Sequence, residues 1–99
     1  MRALPTDEPL VVAGDLNEGP DGQAWTAIAG RLPVASVDSP TFPAGAPRHR
    51  LDVIFASPAL PVVTSNAGET VELDPADLVV ATDHLPVWVD LDLSGIALR

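Results

Sequence analysis

The fold of this chain is organised around one stretch of sequence, Leu10-Val11-Val12-Ala13-Gly14-Asp15-Leu16-Asn17. An apolar run with β-branched residues ends at a glycine and is followed by a carboxylate and an amide two positions apart. A continuous apolar run bounded by a turn signal predicts a strand that is buried on both faces. Open α/β sheets place their ligand groups where such strands leave the sheet. We therefore expect Asp15 and Asn17 to belong to a functional site at the edge of a sheet.

The composition limits the chain to one small domain of 99 residues. Hydrophobic residues make up 46% of it and cysteine is absent, which excludes a disordered acidic tail, disulfides and thiolate metal sites. No apolar run approaches the roughly 20 residues that cross a bilayer, and the first residues lack an apolar stretch of signal-peptide length. We expect a cytoplasmic protein without a membrane segment.

The charge balance favours some partners over others. Five arginines and no lysines stand against 14 acidic residues, which gives a net charge of −9. A field of this sign repels the nucleic-acid backbone and suits the capture of a divalent metal and a small phosphate ester. Nucleic acid is therefore a disfavoured partner, although a charge that serves solubility alone is an equally open interpretation.

The pattern along the chain predicts one main helix and further strands. Asp21 is expected to cap the helix and Pro33 to end it, and the apolar positions that share one helical stripe are Trp25, Ile28, Ala29 and Leu32. Residues 34–47 are predicted to form a loop. Strands are predicted at 51–56, at 60–65 antiparallel to it, and at 87–93. The expected fold is α/β, with one mixed, mostly antiparallel sheet.

Several polar groups are out of place for simple packing, and each has a structural explanation of its own. Asp15 or Asn17 can close an Asx-turn. Asp52 lies inside an apolar strand and can form an ion pair with Arg48 or Arg50. Asp83 can cap a turn, and His84 can be a packed or surface histidine. Together, however, carboxylates, an amide and a histidine at successive strand ends are the parts that metal-dependent phosphoester hydrolysis needs.

Three motifs in this order resemble the endonuclease/exonuclease/phosphatase superfamily, the DNase-like metal-dependent phosphoesterases. They are Gly14-Asp15-Leu16-Asn17, Arg50-Leu51-Asp52-Val53-Ile54-Phe55 and Thr82-Asp83-His84-Leu85-Pro86-Val87. Order, spacing and strand context match the C-terminal half of that domain over residues 1–99. The resemblance implies about half of a DNase-like α/β sandwich and hydrolysis of phosphoester bonds.

The resemblance also implies roles for individual residues. Asp15 would orient or deprotonate the attacking water, and Asn17 would donate to the phosphate. His84 would contact the phosphate or act as acid and base, and Asp52 would pair with His84.

The metal and the substrate have their own expected ligands. Asp83 would bind Mg²⁺ or Mn²⁺, directly or through water. Arg50 is expected to contact the substrate together with Asn17 and His84. The triplet Thr41-Phe42-Pro43 resembles the loop that precedes the Asp52 strand in this family.

The resemblance does not extend to the N-terminal half, which supplies a metal-binding Glu, an Asn and another His in this family. Three hypotheses follow. The first is a truncated Mg²⁺-dependent phosphoesterase with a missing N-terminal half. The second is a non-catalytic half-domain that pairs its open face with a partner or with itself as a homo-oligomer. The third is a small acidic α/β domain in which the Asp and His residues are structural only.

Overall fold

The structure is a computed structural model and is described for residues 9–68 and 83–96. Its elements in chain order are β1 (Val11–Asp15), α1 (Gln23–Ala29), β2 (Asp52–Ala56), β3 (Val62–Ala67) and β4 (Val87–Leu91). β1 pairs with β2 and β3 with β4, both antiparallel. The α/β class and the antiparallel pairing are confirmed, but the strands of the described ranges form two two-stranded sheets rather than the single sheet expected. Thr82 of the third motif lies outside the described ranges.

The strand β2 organises the first sheet because both of its edges are used. One edge pairs with β1 in a register that sets Asp15 opposite Asp52. Along the other edge, the amide of Ala56 donates to the Pro33 carbonyl at 3.1 Å, and the amide of Ala35 donates to the Ile54 carbonyl at 2.8 Å. The first residues of the predicted loop 34–47 therefore run along this edge of β2 and form an isolated bridge between Val34 and Phe55.

This second edge explains an error in the predicted strand pairing. Residues 60–65 were expected to lie antiparallel to the strand at 51–56, but β3 pairs with β4. Because β1 and the segment 33–36 fill the edges of β2, the chain that follows β2 cannot pair with it. A turn closed by the Leu60 amide on the Ser57 carbonyl, at 2.9 Å, leads it away instead.

The core lies between α1 and the face of β2 that carries Val53 and Phe55. These two side chains are buried together with Trp25 and Leu32, and the Trp25 and Phe55 rings meet edge to face with centroids 5.9 Å apart. Trp25 and Ile28 of the predicted stripe face the core from α1, whereas Leu32 reaches it from beyond the end of the helix and Ala29 is exposed. Alternation along β2 leaves Asp52 and Ile54 on the opposite face, which is half-buried.

Both ends of α1 differ from the prediction. The N-cap is Gly22, and the Glu18 carboxylate, rather than Asp21, accepts a hydrogen bond from the Trp25 amide at 2.8 Å. The turn that precedes the helix returns the longer Glu18 side chain over the free amides of its first turn. At the other end, Gly30 is the C-cap, so the helix stops before it reaches Pro33. In the described ranges no helix has the length and apolar character that crossing a membrane would require.

The expectation that β1 is buried on both faces is wrong. Four of its five residues are exposed, and the Val11 side chain is among the exposed large hydrophobic groups. Among the described residues β1 has β2 as its one partner strand, so its outer edge and much of its surface stay uncovered. Its end nevertheless lies where the sequence predicts, since Asp15 is the last residue of the strand.

Candidate active site

A histidine lies between two carboxylates at the end of the first sheet. Asp15 ends β1 and Asp52 begins β2, and the register sets them directly opposite each other. Like charges in that arrangement repel. His84, three residues before β4, has Nδ1 2.7 Å from Oδ2 of Asp52 and Nε2 3.7 Å from Oδ2 of Asp15. The structure thus brings together three of the site residues predicted from the sequence, Asp15, Asp52 and His84.

The bond between Asp52 and His84 fixes the roles of the two ring nitrogens. An ionised carboxylate only accepts hydrogen bonds, so Nδ1 of His84 must carry the proton in the 2.7 Å contact. The same Asp52 oxygen accepts a second hydrogen bond from the Thr41 hydroxyl at 2.6 Å. Nε2 is then the nitrogen that faces Asp15, and it is the ring atom placed to exchange a proton with another group.

The electrostatic surroundings favour the protonated imidazole. The hydrogen bond to Asp52 raises the pKa of His84 above its ordinary value of 6.5, and the negative charges of Asp52, Asp15 and Asp83 act in the same direction. Partial burial of the ring opposes this shift. An imidazolium between carboxylates also relieves the repulsion between Asp15 and Asp52.

This shift predicts a pH dependence of stability for the metal-free chain. A histidine whose pKa is higher in the folded state binds its proton more tightly there, so its stabilisation is complete below pH 6.5. The stabilisation is lost as the pH rises through the higher pKa of the folded state. We expect Tm in EDTA to fall as the pH rises above 6.5 and His84→Asn to flatten this slope. A wild-type Tm that rises across that range would contradict the assignment.

Asp15 has a structural contact as well as its position beside His84. Its Oδ1 accepts a hydrogen bond from the Asn17 amide at 2.7 Å, which closes the Asx-turn that the sequence allows. Asn17 has a φ of 53°, a left-handed conformation that asparagine tolerates better than most residues. The turn directs Oδ2 of Asp15 toward the histidine and leaves Asn17 exposed at the same end of the sheet.

Two other predicted site residues have different surroundings. Asp83 is exposed, and its backbone carbonyl accepts a hydrogen bond from the Ala44 amide at 2.7 Å. Arg50 is bound by its guanidinium to the Ser36 carbonyl at 2.9 Å and to Asp38 at 3.3 Å, and it lies over the Trp25 ring. These contacts account for Arg50 structurally, and its expected contact with the substrate stays a prediction. The Asp52 carboxylate accordingly forms its hydrogen bonds with Thr41 and His84 rather than with an arginine.

The segment 41–44 holds the histidine in place, a role that was not predicted from the sequence. The Leu85 amide donates to the Thr41 carbonyl at 2.7 Å, and the Phe42 ring lies 4.9 Å from the His84 ring between centroids. With the bond from Ala44 to Asp83, the segment contacts each of residues 83–85. The only signal in the sequence was the resemblance of Thr41-Phe42-Pro43 to a family loop.

A cavity opens beside the pair formed by Asp52 and His84. Its walls come from β1, β2 and the start of β4, and they are lined by Ala13, Gly14, Asp15, Asp52, Val53, Ile54, Leu85, Pro86 and Val87. The two carboxylates lie in an otherwise apolar wall, so a ligand in the cavity can reach the polar atoms of the site.

Asp15, Asp52 and His84 are also residues of the types that bind metal ions, and they lie close together. One atom each from Asp15, Asp52 and His84 lies within 4.8 Å of the others. The hydrogen bond already occupies Nδ1 of His84 and Oδ2 of Asp52. Asp15 likewise has one oxygen, Oδ1, in a hydrogen bond, so each carboxylate of the group has one further oxygen of the kind that a hard divalent cation prefers. Asp83, the metal ligand expected from the sequence, is not a member of this group.

Comparison with known proteins agrees with the motifs. The model of the Endonuclease/Exonuclease/phosphatase family matches residues 1–84. No curated protein and no solved structure gives a significant match. The matched range contains the Asx-turn of Asp15, the strand of Asp52 and the segment that ends at His84, which are the parts that meet in the site. The chain belongs to the endonuclease/exonuclease/phosphatase family.

Proposed function

We propose that this chain is a hydrolase of phosphoester bonds that works with Mg²⁺ or Mn²⁺ and uses His84, Asp52 and Asp15. The observation that carries the proposal is the position of the His84 ring, bonded to Asp52 through Nδ1 and facing Asp15 through Nε2. A histidine held in one tautomer by a carboxylate is a common device for moving a proton during hydrolysis. Family membership supports the phosphoester as the substrate class.

Asp15 is proposed to orient and deprotonate the attacking water. Its Oδ1 is committed to the Asn17 amide, so Oδ2 is the oxygen available for the water. The oxygen of the water forms a bond to phosphorus, and the bond from phosphorus to the leaving oxygen breaks. Asn17, exposed beside Asp15, is proposed to donate to a phosphate oxygen through its side-chain amide.

His84 is proposed to supply a proton in the same reaction. The hydrogen bond to Asp52 and the negative charges around the ring raise the pKa of His84 and so favour the imidazolium. A protonated ring can donate from Nε2 to the phosphate or to the leaving oxygen, while Asp52 holds Nδ1. Asp52 stays a carboxylate throughout and keeps the ring orientation.

The donor set fits a hard divalent cation. Mg²⁺ in phosphoryl-transfer sites is commonly held by one or two carboxylates together with waters and substrate oxygens. Asp83 is exposed, and its negative charge acts on the neighbouring His84. We propose Asp83 as the ligand, directly or through water. When bound, the cation would neutralise charge that develops on the phosphate oxygens.

A metal-dependent assay tests this proposal. The purified chain should hydrolyse a chromogenic phosphodiester such as bis(p-nitrophenyl) phosphate in Mg²⁺ or Mn²⁺, and EDTA should abolish the reaction. Asp15→Asn should remove most of the activity, because the amide can keep the Asx-turn yet cannot accept the proton of the water. Hydrolysis that is unaffected by EDTA, or equal in Asp15→Asn, would refute the proposed roles.

The second candidate is a non-catalytic half-domain that associates with itself or with a partner. The exposed valines of β1 and β3 favour it, since Val11, Val62 and Val63 are 46%, 45% and 67% exposed. Light scattering after size exclusion, run beside the assay, separates the two. A stable dimer without metal-dependent hydrolysis would support this alternative over the enzyme.

A further inference from the structure

Thr41 is fully buried, and its hydroxyl group makes every hydrogen bond that it can form. Its side chain is 0% exposed, and its Oγ1 lies 2.6 Å from Oδ2 of Asp52. The amides of Leu51 and Asp52 both donate to the same Oγ1, each at 3.3 Å. Since a hydroxyl has one hydrogen and both lone pairs face donors, that hydrogen must point at the Asp52 carboxylate.

The backbone of Thr41 fixes the other member of the pair. Its carbonyl accepts a hydrogen bond at 2.7 Å from the amide of Leu85, the residue that follows His84. Its own amide donates to the His49 carbonyl at 2.9 Å. One buried residue therefore holds the Asp52 carboxylate through its side chain and the His84 segment through its main chain.

We propose that Thr41 is a positioning residue for the Asp52 and His84 pair, and that its hydroxyl sets the rotation of the Asp52 carboxylate. Oδ2 of Asp52 accepts from Thr41 and from His84 at once, so the two hydrogen bonds define the plane of the carboxylate. Without the hydroxyl, the carboxylate can rotate about its Cβ–Cγ bond, and the ring loses its fixed partner. The catalytic consequence rests on the function proposed above, whereas the geometric one does not.

The first test is a pair of substitutions assayed by phosphodiester hydrolysis. Thr41→Val removes the hydroxyl at nearly constant shape, and Thr41→Ser keeps it. We expect Thr41→Val to lower kcat by about 10-fold, a typical effect for a group that orients a catalytic ligand. KM should not change, because Thr41 acts on the pair and not on the substrate. Thr41→Ser should stay within about two-fold of wild type in kcat.

A matched control separates positioning from loss of stability. Ser36 is also buried, and its hydroxyl accepts a hydrogen bond from the Ile54 amide of β2 at 3.0 Å. Ser36→Ala should lower Tm as Thr41→Val does, yet keep kcat. If the two variants lose kcat in parallel with Tm, Thr41 is merely structural and the proposal is wrong.

The second readout needs no activity. The proton on Nδ1 of His84, in a charge-assisted bond to Asp52, should give a low-field ¹H NMR resonance. It should be retained in Thr41→Ser and Ser36→Ala and be shifted or lost in Thr41→Val. If wild type shows the resonance and does not hydrolyse the phosphodiester, the proposed function fails while this test of Thr41 still stands. An unchanged resonance in folded Thr41→Val would overturn the proposal.

A third variant covers the case in which Thr41→Val does not fold. Thr41→Cys replaces the hydroxyl by a thiol, which is a much weaker donor. We expect Thr41→Cys to have a lower kcat than Thr41→Ser and a shifted or weakened Nδ1 proton resonance. Values equal to those of Thr41→Ser would show that the hydrogen bond to Asp52 does not set the geometry of the pair.

Discussion

His84→Ala is expected to lower the turnover of metal-dependent phosphoester hydrolysis by about 10²- to 10⁴-fold while the fold is kept. The ring is the group that faces Asp15 with one nitrogen and is held by Asp52 with the other. Its removal takes away the proton donor and leaves two carboxylates opposite each other without a cation between them. The loss should fall on kcat and be measurable by steady-state assay with bis(p-nitrophenyl) phosphate.

The other histidine of the chain is the matched control. His49 is exposed in the loop before β2 and contributes backbone hydrogen bonds to Thr41 and Phe42. Because His49→Ala keeps those backbone bonds, its kcat should equal that of wild type. Circular dichroism of both variants would verify that they are folded. Normal turnover in folded His84→Ala would remove the histidine from the mechanism.

The residues of the candidate site could be found from the sequence because each breaks a local pattern. Asp15 stops an apolar run, and Asp52 is a charge inside one. Such conflicts between a residue and its local environment are expected where function outweighs stability. The resemblance implied that Asp52 pairs with His84. The register that sets Asp15 directly opposite Asp52 was left open, since it joins strands far apart in the chain.

The pairing of β3 with β4 could not be predicted from the sequence. It depends on which backbone groups occupy the edges of β2. The segment 33–36 has a proline and no strand pattern, yet it occupies one edge through the bonds to Ile54 and Ala56. Hydrophobic periodicity reports the faces of a strand and says nothing about its edges.

The contact of Thr41 with Asp52 could not be predicted from the sequence either. A threonine in a stretch rich in proline and glycine predicts a turn, and its polar atoms are expected to meet water. In the structure it is completely buried, with its hydroxyl between the Asp52 carboxylate and the amides of Leu51 and Asp52. The cap of α1 shows the same limitation at shorter range, since Glu18 takes the place expected for Asp21.

Phe55→Ala is expected to cost about 3–5 kcal/mol of the free energy of unfolding, a large share of the roughly 5–15 kcal/mol that stabilises a typical domain. Phe55 is 0% exposed and packs edge to face on Trp25, so its truncation leaves a cavity between α1 and β2. The same strand carries Asp52 on its opposite face, and the site should be lost as the strand loosens. Urea unfolding followed by circular dichroism measures the change, with Val63→Ala as the control because that side chain is 67% exposed. An equal, small effect in both variants would mean that α1 and β2 do not form the core on which the site is built.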